Sequence, residues 1–459
     1  MRLALFSPLP PTRSGIAAYT AELLPRLAEH HAVELFCATQ PRTTQPYRTF
    51  PTFSAHDFVW KHTRTPYDLV VYQLGNAPCH DYMWPYLTRY PGLVVLHDGQ
   101  LYHARARALL AKQSERSYRT EFMFDHPDAP IDVLELGSQG LLGHLAYLWP
   151  MLRLPVQASR MVAVHNTWFA EQLRHDFPEA AIETIRMGVK DPIHNLLEIE
   201  TQRTTSRARL KLALNDIVFA VFGGMTPEKR LPQIIRAFAT IVHSVPSARL
   251  MLVGAEASYY DVVADARAHG VDDRVLVTGH VKDTELDHYL TAVDICLCLR
   301  WPSGYETSAS WLRCLAAGKP TVITDLPHLG DIAALVTRGT WMPSQFGSFN
   351  EHDAQSPEPV TISIDLLDED RSLSIAMQRL ALDNGLRRRL GKRARAYWSA
   401  HHQVEQMSAD YERVLKLAIA NPAPNIPRPF RENGTEQARV LLSSLNVILP
   451  DMLEEHNLS

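Results

Sequence analysis

The chain has 459 residues, of which 46% are hydrophobic and 21% charged, and its formal net charge is −4. A chain of this length exceeds the size at which one hydrophobic core keeps growing, so two domains are expected. The small net charge gives no overall attraction to nucleic acid or acidic lipid, and the share of charged residues is too low for a disordered protein.

Five cysteines are scattered along the chain, at Cys37, Cys79, Cys296, Cys298 and Cys314. Their odd number and spacing argue against a disulfide framework, and Cys296-Leu-Cys298 is interpreted as alternation on a buried strand rather than as a zinc pair. The first residues are interpreted as a strand, because their apolar stretch is too short for a signal peptide. No apolar run reaches the roughly 18–20 residues that span a bilayer, so a cytoplasmic protein is expected.

Short apolar strands alternate with helical patterns in both halves of the chain, which predicts doubly wound α/β domains with parallel sheets. In the first half the predicted strands are Leu3–Phe6, Val33–Cys37, Leu69–Gln73, Leu93–His97 and Met161–His165. In the second half they are Ile217–Phe222, Arg249–Val253, Val275–Thr278, Asp294–Leu299 and Thr321–Thr324. Helices of the second half are predicted near Pro232–Val242, Tyr259–Ala268, Thr284–Ala292 and Ser308–Ala317.

This pattern also predicts the domain boundaries. We expect a first domain over residues 1–195, with a helical insertion at about 101–155, and a second domain over residues 205–395. Residues 396–420 are expected to form a C-terminal helix that packs back on the first domain. Residues 421–459 are expected to be a proline-rich linker followed by a short apolar helix near Gln437–Leu449.

Two loops combine glycine with groups that suit an anionic ligand. Ser14 can cap the helix after the first strand, and Gly15 lets a ligand approach its backbone amide, although a plain helix cap is the simpler interpretation. The strand Ile217–Phe222 leads into Gly223-Gly224-Met-Thr-Pro-Glu-Lys229-Arg230. Two cations at a helix start oppose the helix dipole, so a diphosphate site explains them better than a solvated pair.

The densest pattern is Arg300-Trp-Pro-Ser-Gly304-Tyr-Glu306-Thr307-Ser308, which continues to Arg313 and to Gly318-Lys-Pro320. A strand ends there, a Pro/Gly loop carries a carboxylate, and Thr307 with Ser308 opens a helix whose free amides can hold a phosphate. Arg313 follows Glu306 by seven residues and therefore lies about two helical turns along, beneath the loop. The alternative for Glu306 is an acidic residue that only stabilises a helix start.

These motifs, in this order, resemble those of the family 4 (group 1) glycosyltransferases. The resemblance runs from Ser7–Ile16 through Gly75-Asn76 and Val94–Asp98 to Gly223–Arg230 and Glu306–Pro320. It is closest to a bacterial branch with a Gly-Glu-Thr-Ser type loop, although here a tyrosine separates the glycine from the glutamate. The resemblance implies the GT-B fold, in which two Rossmann-like doubly wound parallel-sheet domains face a central cleft.

The resemblance also implies roles for single residues. It assigns donor binding to a set of amides, hydroxyls and cations, namely Gly15, Gly224, Lys229, Arg230, Thr307, Ser308 and Arg313. Lys229 matches the diphosphate lysine of the family, and Arg230 is expected to replace the arginine that usually stands at Gly224. Glu306 matches the acidic residue that grips the donor sugar.

His97 and Arg313 need separate interpretations. His97-Asp98 falls where a buried strand ends, which suits hydrogen bonding to a sugar or phosphate. The resemblance implies that His97 faces the reacting sugar, and His97 and Glu306 are therefore the predicted catalytic residues. Arg313 stands where the family has a second carboxylate, normally on the nucleotide ribose. We expect Arg313 either to reach the nucleotide or to orient Glu306 by a charge pair.

The helical insertion has two interpretations. Tyr102–Arg119 carries five arginines and lysines, and Leu141–Leu152 is rich in leucine and other large apolar residues. A solvated face and a core helix are the simpler interpretation. The alternative is a surface that meets a lipid-linked acceptor at the inner face of the membrane.

The predicted reaction is glycosyl transfer from a nucleotide-diphosphate sugar to a glycan or lipid-linked acceptor, with retention of configuration implied by the resemblance alone. No metal is expected, because no Asp-x-Asp-like pair lies at a strand end, and no cofactor is expected, because the nucleotide sugar is itself a substrate. Two alternatives stay open. One is a nucleotide-sugar epimerase on the same fold, and the other is a non-catalytic sugar-nucleotide-binding partner, which the arginine at position 313 would favour.

Overall fold

The computed structural model describes residues 1–38, 50–111, 115–193, 199–257, 260–336 and 358–426. Within these ranges the chain forms two seven-stranded sheets, and every strand pair in both sheets is parallel. The predicted fold class of two doubly wound α/β domains is therefore confirmed. The helix predicted near Gln437–Leu449 lies outside the described residues.

The first sheet is built from β1 (Arg2–Phe6), β2 (Ala32–Cys37), β3 (Thr52–Ser54), β4 (Leu69–Leu74), β5 (Leu93–Leu96), β6 (Met161–Val164) and β7 (Ile182–Thr184). Its strand order is β3-β2-β1-β4-β5-β6-β7. β4 and β5 are buried along their whole length, as expected of central parallel strands covered by helices on both faces.

The second sheet is built from β8 (Ile217–Phe222), β9 (Ala248–Val253), β10 (Val275–Val277), β11 (Ile295–Cys298), β12 (Thr321–Thr324), β13 (Ala334–Val336) and β14 (Thr361–Ile364). Its strand order is β10-β9-β8-β11-β12-β14-β13. Cys296 and Cys298 lie on β11, in agreement with the strand interpretation.

Helices cover both sheets. In the first half they are α1 (Gly15–Ala28), α2 (Phe58–Arg64), α3 (Trp84–Leu87), α4 (Tyr102–Ala111), α5 (Glu115–Asp125), α6 (Ile131–Ser138), α7 (Arg153–Gln157) and α8 (Thr167–Asp176). In the second half they are α9 (Ile199–Arg209), α10 (Leu231–Ser244), α11 (Val262–Ala268), α12 (Asp283–Ala292), α13 (Ala309–Ala316), α14 (Glu369–Leu382), α15 (Asn384–His401) and α16 (Val404–Ala420). None of the helices in the described ranges is long and apolar enough to cross a membrane.

Four strands escaped the sequence prediction, for two physical reasons. β3, β7 and β13 have three residues each and lie at sheet edges, where a short strand leaves almost no periodic signal. β14 lies inside the second sheet, but its sequence Thr-Ile-Ser-Ile alternates hydroxyl and apolar side chains. All four of its residues are buried, and Thr361 satisfies its hydroxyl on the carbonyl of Thr321.

One continuous core joins the two domains. A single cluster of buried apolar side chains includes Leu23 of α1, Trp311 of α13 and Tyr411 of α16. The hydroxyl groups of Tyr19 and Tyr411 lie 2.8 Å apart, which fixes α16 against α1. The last helix of the described chain thus rests on the first domain.

The strand order of each sheet determines where a ligand can bind. In a doubly wound sheet the crevice lies at the carboxyl ends of the strands, where the strand order reverses. That reversal falls between β1 and β4 in the first sheet and between β8 and β11 in the second. The loops after β8 and β11 carry most of the site residues predicted from the sequence, namely Gly224, Lys229, Arg230, Glu306, Thr307 and Ser308. Gly15 opens α1 after β1, His97 follows β5, and Arg313 lies within α13.

Candidate active site

Arg300 and Glu306 form an ion pair inside the loop that follows β11, with Nη1 of Arg300 2.6 Å from Oε1 of Glu306. The other carboxylate oxygen of Glu306 accepts a hydrogen bond of 3.1 Å from the hydroxyl of Ser303. We call residues 300–308 the 300–308 loop. Its glutamate is thus held on both oxygens before any ligand arrives, which fixes the direction of the carboxylate.

The 300–308 loop ends on the helix start that the sequence predicted. Ser308 caps α13, and its hydroxyl accepts from the amide of Trp311 at 3.3 Å. A pocket with about 340 Å³ of empty space opens beside it. The pocket is lined by Cys298, Arg300, Glu306, Ser308, Trp311, Ile323, Thr324, Leu326, His328 and Leu329. Thr307 lines a smaller neighbouring cavity together with His97 and Asp98.

Lys229 lies in the loop after β8 and within electrostatic range of this pocket. Its ammonium group donates a hydrogen bond to the carbonyl of Phe222, at the end of β8. Burial, and next the charge on Arg300, lower the pKa of Lys229 to about 8. Gly223 has a φ of 96°, and a Cβ there would lie 3.1 Å from the ammonium nitrogen of Lys229. The sharp turn at this glycine therefore brings the backbone against the lysine.

Arg230 follows Lys229 in the chain but pairs with a carboxylate instead of lying beside the ammonium group of Lys229. Its guanidinium is paired with the carboxylate of Glu369, with Nε donating at 2.8 Å. Arg230 is also the residue that precedes α10, and it has a left-handed backbone with φ 59°. The expected substitution of Arg230 for an arginine at position 224 is therefore not seen in this arrangement. Gly224 itself is open, since a Cβ there would meet no atom within 4 Å.

Gly15 opens α1 across the cleft from this loop. Ser14 caps the helix, as the sequence indicated, and its hydroxyl accepts from the amide of Ile16 at 3.2 Å. A Cβ at Gly15 would meet no atom within 4 Å, so the space beside its backbone is free of described atoms. A ligand anion can approach this helix start without displacing a side chain.

His97 directly follows β5 and directs its ring into a buried network. Its Nδ1 lies 3.1 Å from Nε2 of His165, and its Nε2 lies 2.7 Å from the side-chain oxygen of Gln73. Burial, and next the His165 ring, lower the pKa of His97 well below its usual range. His97 is therefore neutral at neutral pH, and both of its ring nitrogens already have partners.

Backbone and amide groups complete this network. The carbonyl of Ile185 can only accept, so the proton of neutral His165 sits on Nδ1, 2.9 Å away. The Gln73 amide directs its oxygen toward His97 and donates from its nitrogen to the hydroxyl of Tyr411 at 3.0 Å. The ring of His97 is thus enclosed by a neutral imidazole and a neutral amide.

Asp98 follows His97 and touches the 300–308 loop. Its Oδ1 accepts from the amide of Gln100 at 2.8 Å, and a Cβ on Gly304 would lie only 2.2 Å from the same oxygen. Burial, and next the carboxylate of Glu306, raise the pKa of Asp98 to about 8. Asp98 is therefore mostly protonated at neutral pH.

Arg313 is paired with neither of the groups that the sequence suggested. Its Nη2 lies 2.8 Å from Oε1 of Glu22, which belongs to α1 of the first domain. Glu306 takes Arg300 as its partner instead. The hypothesis that Arg313 orients Glu306 by a direct charge pair is therefore wrong for this arrangement, and Arg313 links α13 to α1.

The domain that carries this loop matches a known protein family. The sequence profile of the family "Glycosyl transferases group 1" matches residues 202–345, which cover most of the second sheet and the 300–308 loop. The chain carries a group 1 glycosyltransferase domain. The predicted enzyme class, glycosyltransferase, is confirmed through this domain. A search of curated protein sequences finds no match.

Solved structures confirm the GT-B arrangement. Sucrose-phosphate synthase from Thermosynechococcus elongatus is 16% identical with a TM-score of 0.61, covering 92% of this chain and 100% of its own. WaaG, a glycosyltransferase involved in lipopolysaccharide biosynthesis, is 13% identical with a TM-score of 0.58, covering 90% and 99%. Alr3699/HepE of Anabaena, solved with UDP and glucose, is 14% identical with a TM-score of 0.59, covering 90% and 99%. At these identities the likeness bears on the fold alone.

Sequence reasoning missed several groups of the site in this glycosyltransferase domain and its neighbour. His165 directly follows β6 as His97 follows β5, so the same signal, a histidine at a strand exit, could have found it. Arg300 stood inside the quoted motif without a role. Tyr411, which contacts Gln73 from α16 at 3.0 Å, carries no local signal, because only the tertiary fold brings it there.

The arrangement of potential metal ligands bears on whether the chain holds a metal ion. Among the described residues, no three histidine, cysteine, aspartate or glutamate side chains are grouped as metal ligands would be. Metal-independent activity stays a prediction.

The raised pKa of Asp98 predicts a pH trend in stability. The folded protein keeps a proton on Asp98 that the unfolded chain releases above about pH 4, so stability from this group falls as the pH rises from about 4 to about 8. Asp98→Asn keeps the acceptor for Gln100 but cannot ionise. We expect its unfolding midpoint to rise relative to wild type between pH 5 and pH 8, as measured by thermal denaturation. Parallel curves for the two proteins would contradict the assignment.

Proposed function

We propose that this protein transfers a sugar from a nucleotide-diphosphate-sugar donor to a glycan or lipid-linked saccharide acceptor. The observation that carries the proposal is a set of polar groups where the strand order of the second sheet reverses, between β8 and β11. Lys229, the capped start of α13 and the fixed carboxylate of Glu306 lie together there, within the group 1 glycosyltransferase domain. Alr3699/HepE, which shares the fold, is solved with UDP and glucose, and this supports a nucleotide sugar as the donor.

The proposed roles follow from the charge that develops during transfer. As the sugar leaves the nucleotide, negative charge grows on the diphosphate, and the ammonium of Lys229 and the amides at the start of α13 would stabilise it. Gly15, at the start of α1, would offer an amide from the other domain. Glu306 would accept hydroxyls of the sugar. Retention of configuration and independence from metal are parts of this proposal.

His97 and Arg313 have narrower proposed roles. His97 lines the small cavity beside Glu306, and its neutral ring would contact the sugar edge while its nitrogens stay in the network. Arg313 would act on the nucleotide only if its pair with Glu22 opens. Arg230 would need to leave Glu369 before it could add charge to the diphosphate.

Donor hydrolysis in the presence of EDTA tests the proposal against its alternatives. The protein is incubated with a panel of nucleotide sugars, and free nucleoside diphosphate and sugar are measured. Release of diphosphate from one donor supports a transferase, whereas an epimer without diphosphate would identify an epimerase. Binding without any conversion would favour a non-catalytic sugar-nucleotide-binding protein. Activity that disappears in EDTA and returns with Mg²⁺ or Mn²⁺ would contradict metal independence.

Lys229→Ala is predicted to weaken UDP binding by about 1.5–3 kcal/mol, because one charge-assisted contact is lost. Wild type should also take up protons on binding near pH 8, since a bound diphosphate raises the pKa of a lysine that is only partly charged when free. Calorimetry in buffers of different ionisation enthalpy measures both effects. Lys319→Met is the matched control, because burial also lowers the pKa of Lys319 to about 8 while its ammonium donates to the carbonyl of Val293. Equal UDP affinity in Lys229→Ala and wild type would refute the phosphate assignment.

Glu306→Gln is predicted to lower turnover by about 10²–10³-fold while UDP affinity stays nearly unchanged, because UDP has no sugar for Glu306 to hold. Arg313→Ala tests whether the arginine contacts the nucleotide or acts only through its pair with Glu22 of α1. If it weakens UDP binding and Glu22→Gln does not, Arg313 contacts the nucleotide. If the two variants behave alike, Arg313 acts through α1. Normal turnover in Glu306→Gln would reduce the 300–308 loop to a helix cap.

In the helical insertion, the exposed apolar side chains support contact with a lipid-linked acceptor, whereas the charged side chains do not. Arg105 is buried against Glu121, Arg107 pairs with Asp81, and Arg119 pairs with Glu115. Apolar residues are exposed nearby in the chain, at Ile131, Leu136, Leu141, Leu145 and Leu148. We propose that this face contacts the hydrocarbon part of an acceptor or of the membrane surface.

Vesicle flotation tests this contact. We expect the protein to float with phosphatidylcholine vesicles with little dependence on salt, because the contact is apolar and phosphatidylcholine carries no net charge. The triple variant Leu141→Ser, Leu145→Ser, Leu148→Ser should stay at the bottom of the gradient. Leu367→Ser is the control, since Leu367 is 88% exposed but belongs to the second domain. Equal flotation of triple variant and wild type would refute the proposal.

A further inference from the structure

The 300–308 loop belongs to the second domain, yet the first domain holds it at successive residues. The amide of Gly99 donates to the carbonyl of Gly304 at 2.6 Å. The side-chain nitrogen of Asn166 donates to the carbonyl of Tyr305 at 2.8 Å. The Tyr305 ring packs against Trp168 and Phe169 of α8, with centroids 4.9 and 5.7 Å apart. These contacts exist only while the two domains are closed on each other.

The first domain leaves no room for a side chain at Gly304. The three atoms nearest to a Cβ at this position would be Oδ1 of Asp98 at 2.2 Å, Cβ of Gln100 at 3.1 Å and the amide of Gln100 at 3.1 Å. All three belong to the first domain. A side chain at position 304 would therefore collide with the first domain when the two domains close.

Tyr305 is held in a backbone conformation that it would not adopt freely. Its φ of 59° lies in the left-handed region, which is unfavourable for a residue with a Cβ atom. Such a conformation persists only where the surroundings determine it. The first domain supplies the hydrogen bond from Asn166 and the aromatic packing of α8. The second domain adds the hydroxyl of Ser303 on the Tyr305 amide and the ring of His328, whose centroid lies 5.9 Å from that of Tyr305.

A hydroxyl links Tyr305 to the neighbouring glutamate. The oxygen of Ser303 accepts from the amide of Tyr305 at 3.1 Å and donates to Oε2 of Glu306 at 3.1 Å. A change in the Tyr305 backbone moves the amide on which the Ser303 hydroxyl is oriented. The carboxylate of Glu306 then loses one of the two groups that fix its direction.

We propose that Tyr305 is a positioning residue that makes the carboxylate of Glu306 depend on domain closure. Asn166 and the rings of α8 hold Tyr305 in its left-handed conformation, and Ser303 passes that constraint to Glu306. The proposal rests on the proposed function in one respect, that Glu306 grips the donor sugar. The consequence is that the donor sugar is held firmly only when the first domain is closed on the second.

Asn166→Asp tests the first step with little change elsewhere. Aspartate caps α8 as well as asparagine does, accepting from the amide of Phe169, but it has no nitrogen to donate to Tyr305. We expect kcat on the active donor to fall roughly 10- to 100-fold, because Glu306 is misplaced, with UDP affinity and the thermal midpoint unchanged. Thr167→Ala is the control. It removes another hydrogen bond between the domains, to Asp331, without touching the 300–308 loop, and it should keep the wild-type kcat.

Tyr305→Ala and Gly304→Ala test the other two contacts. Both should reproduce the kinetic phenotype of Asn166→Asp, and Tyr305→Phe, which keeps the ring packing and the backbone bonds, should restore wild-type kcat. Amide hydrogen exchange over residues 301–306 should accelerate in Asn166→Asp, Tyr305→Ala and Gly304→Ala, but not in Thr167→Ala or Tyr305→Phe.

The outcomes separate this proposal from the proposed function. If Glu306→Gln loses turnover while Asn166→Asp and Gly304→Ala keep wild-type kcat and exchange rates, the positioning role is overturned and the function stands. If no nucleotide sugar is converted even by wild type, the function fails, and the exchange rates alone decide whether the first domain holds the loop. Equal loss of kcat in Thr167→Ala would also overturn the proposal, because a general weakening of the interface would then explain the effect.

Discussion

Arg300 is the group on which the arrangement of the cleft depends. It pairs directly with Glu306, and the charges of Asp98 and Glu228 act on it from nearby. Three carboxyl groups around one guanidinium cannot all be ionised at low cost, since like charges at short range disfavour each other. The protonated state of Asp98 resolves this conflict. It also allows the first domain to bring a carboxyl group against the 300–308 loop without electrostatic repulsion.

The cationic side chains of the site already have partners within the protein. Lys229 donates to the carbonyl of Phe222, and Arg230 is paired with Glu369. A buried lysine whose pKa is lowered to about 8 gives up little hydration when it meets an anion, so charge on the ligand can be neutralised with little reorganisation. The same argument does not extend to Arg230, which must break a bidentate ion pair first. The proposed diphosphate contacts are therefore Lys229 and the helix start of α13 rather than Arg230.

The sequence was sufficient for the fold class and for the loops that line the cleft, because buried parallel strands and strand-to-helix loops leave periodic and local signals. It could not reach contacts made by residues distant in the chain. Arg313 pairs with Glu22, and His97 with His165 and Gln73, through proximity that only the assembled domains create. The edge strands β3, β7 and β13 were missed because three residues are too few to establish a period.

Tyr305 illustrates why the contacts that the sequence could not predict are those made between the two domains. In its own loop it lies between a glycine and a glutamate, and the local sequence does not indicate that the other domain contacts it. Its left-handed backbone is costly for a non-glycine residue. Contacts from Asn166, Trp168 and Phe169 across the cleft add to those of Ser303 and His328 in its own domain. A residue strained in one domain and stabilised by the other senses whether the two are closed. Placing it beside Glu306 joins that closure to the carboxylate that would hold the sugar.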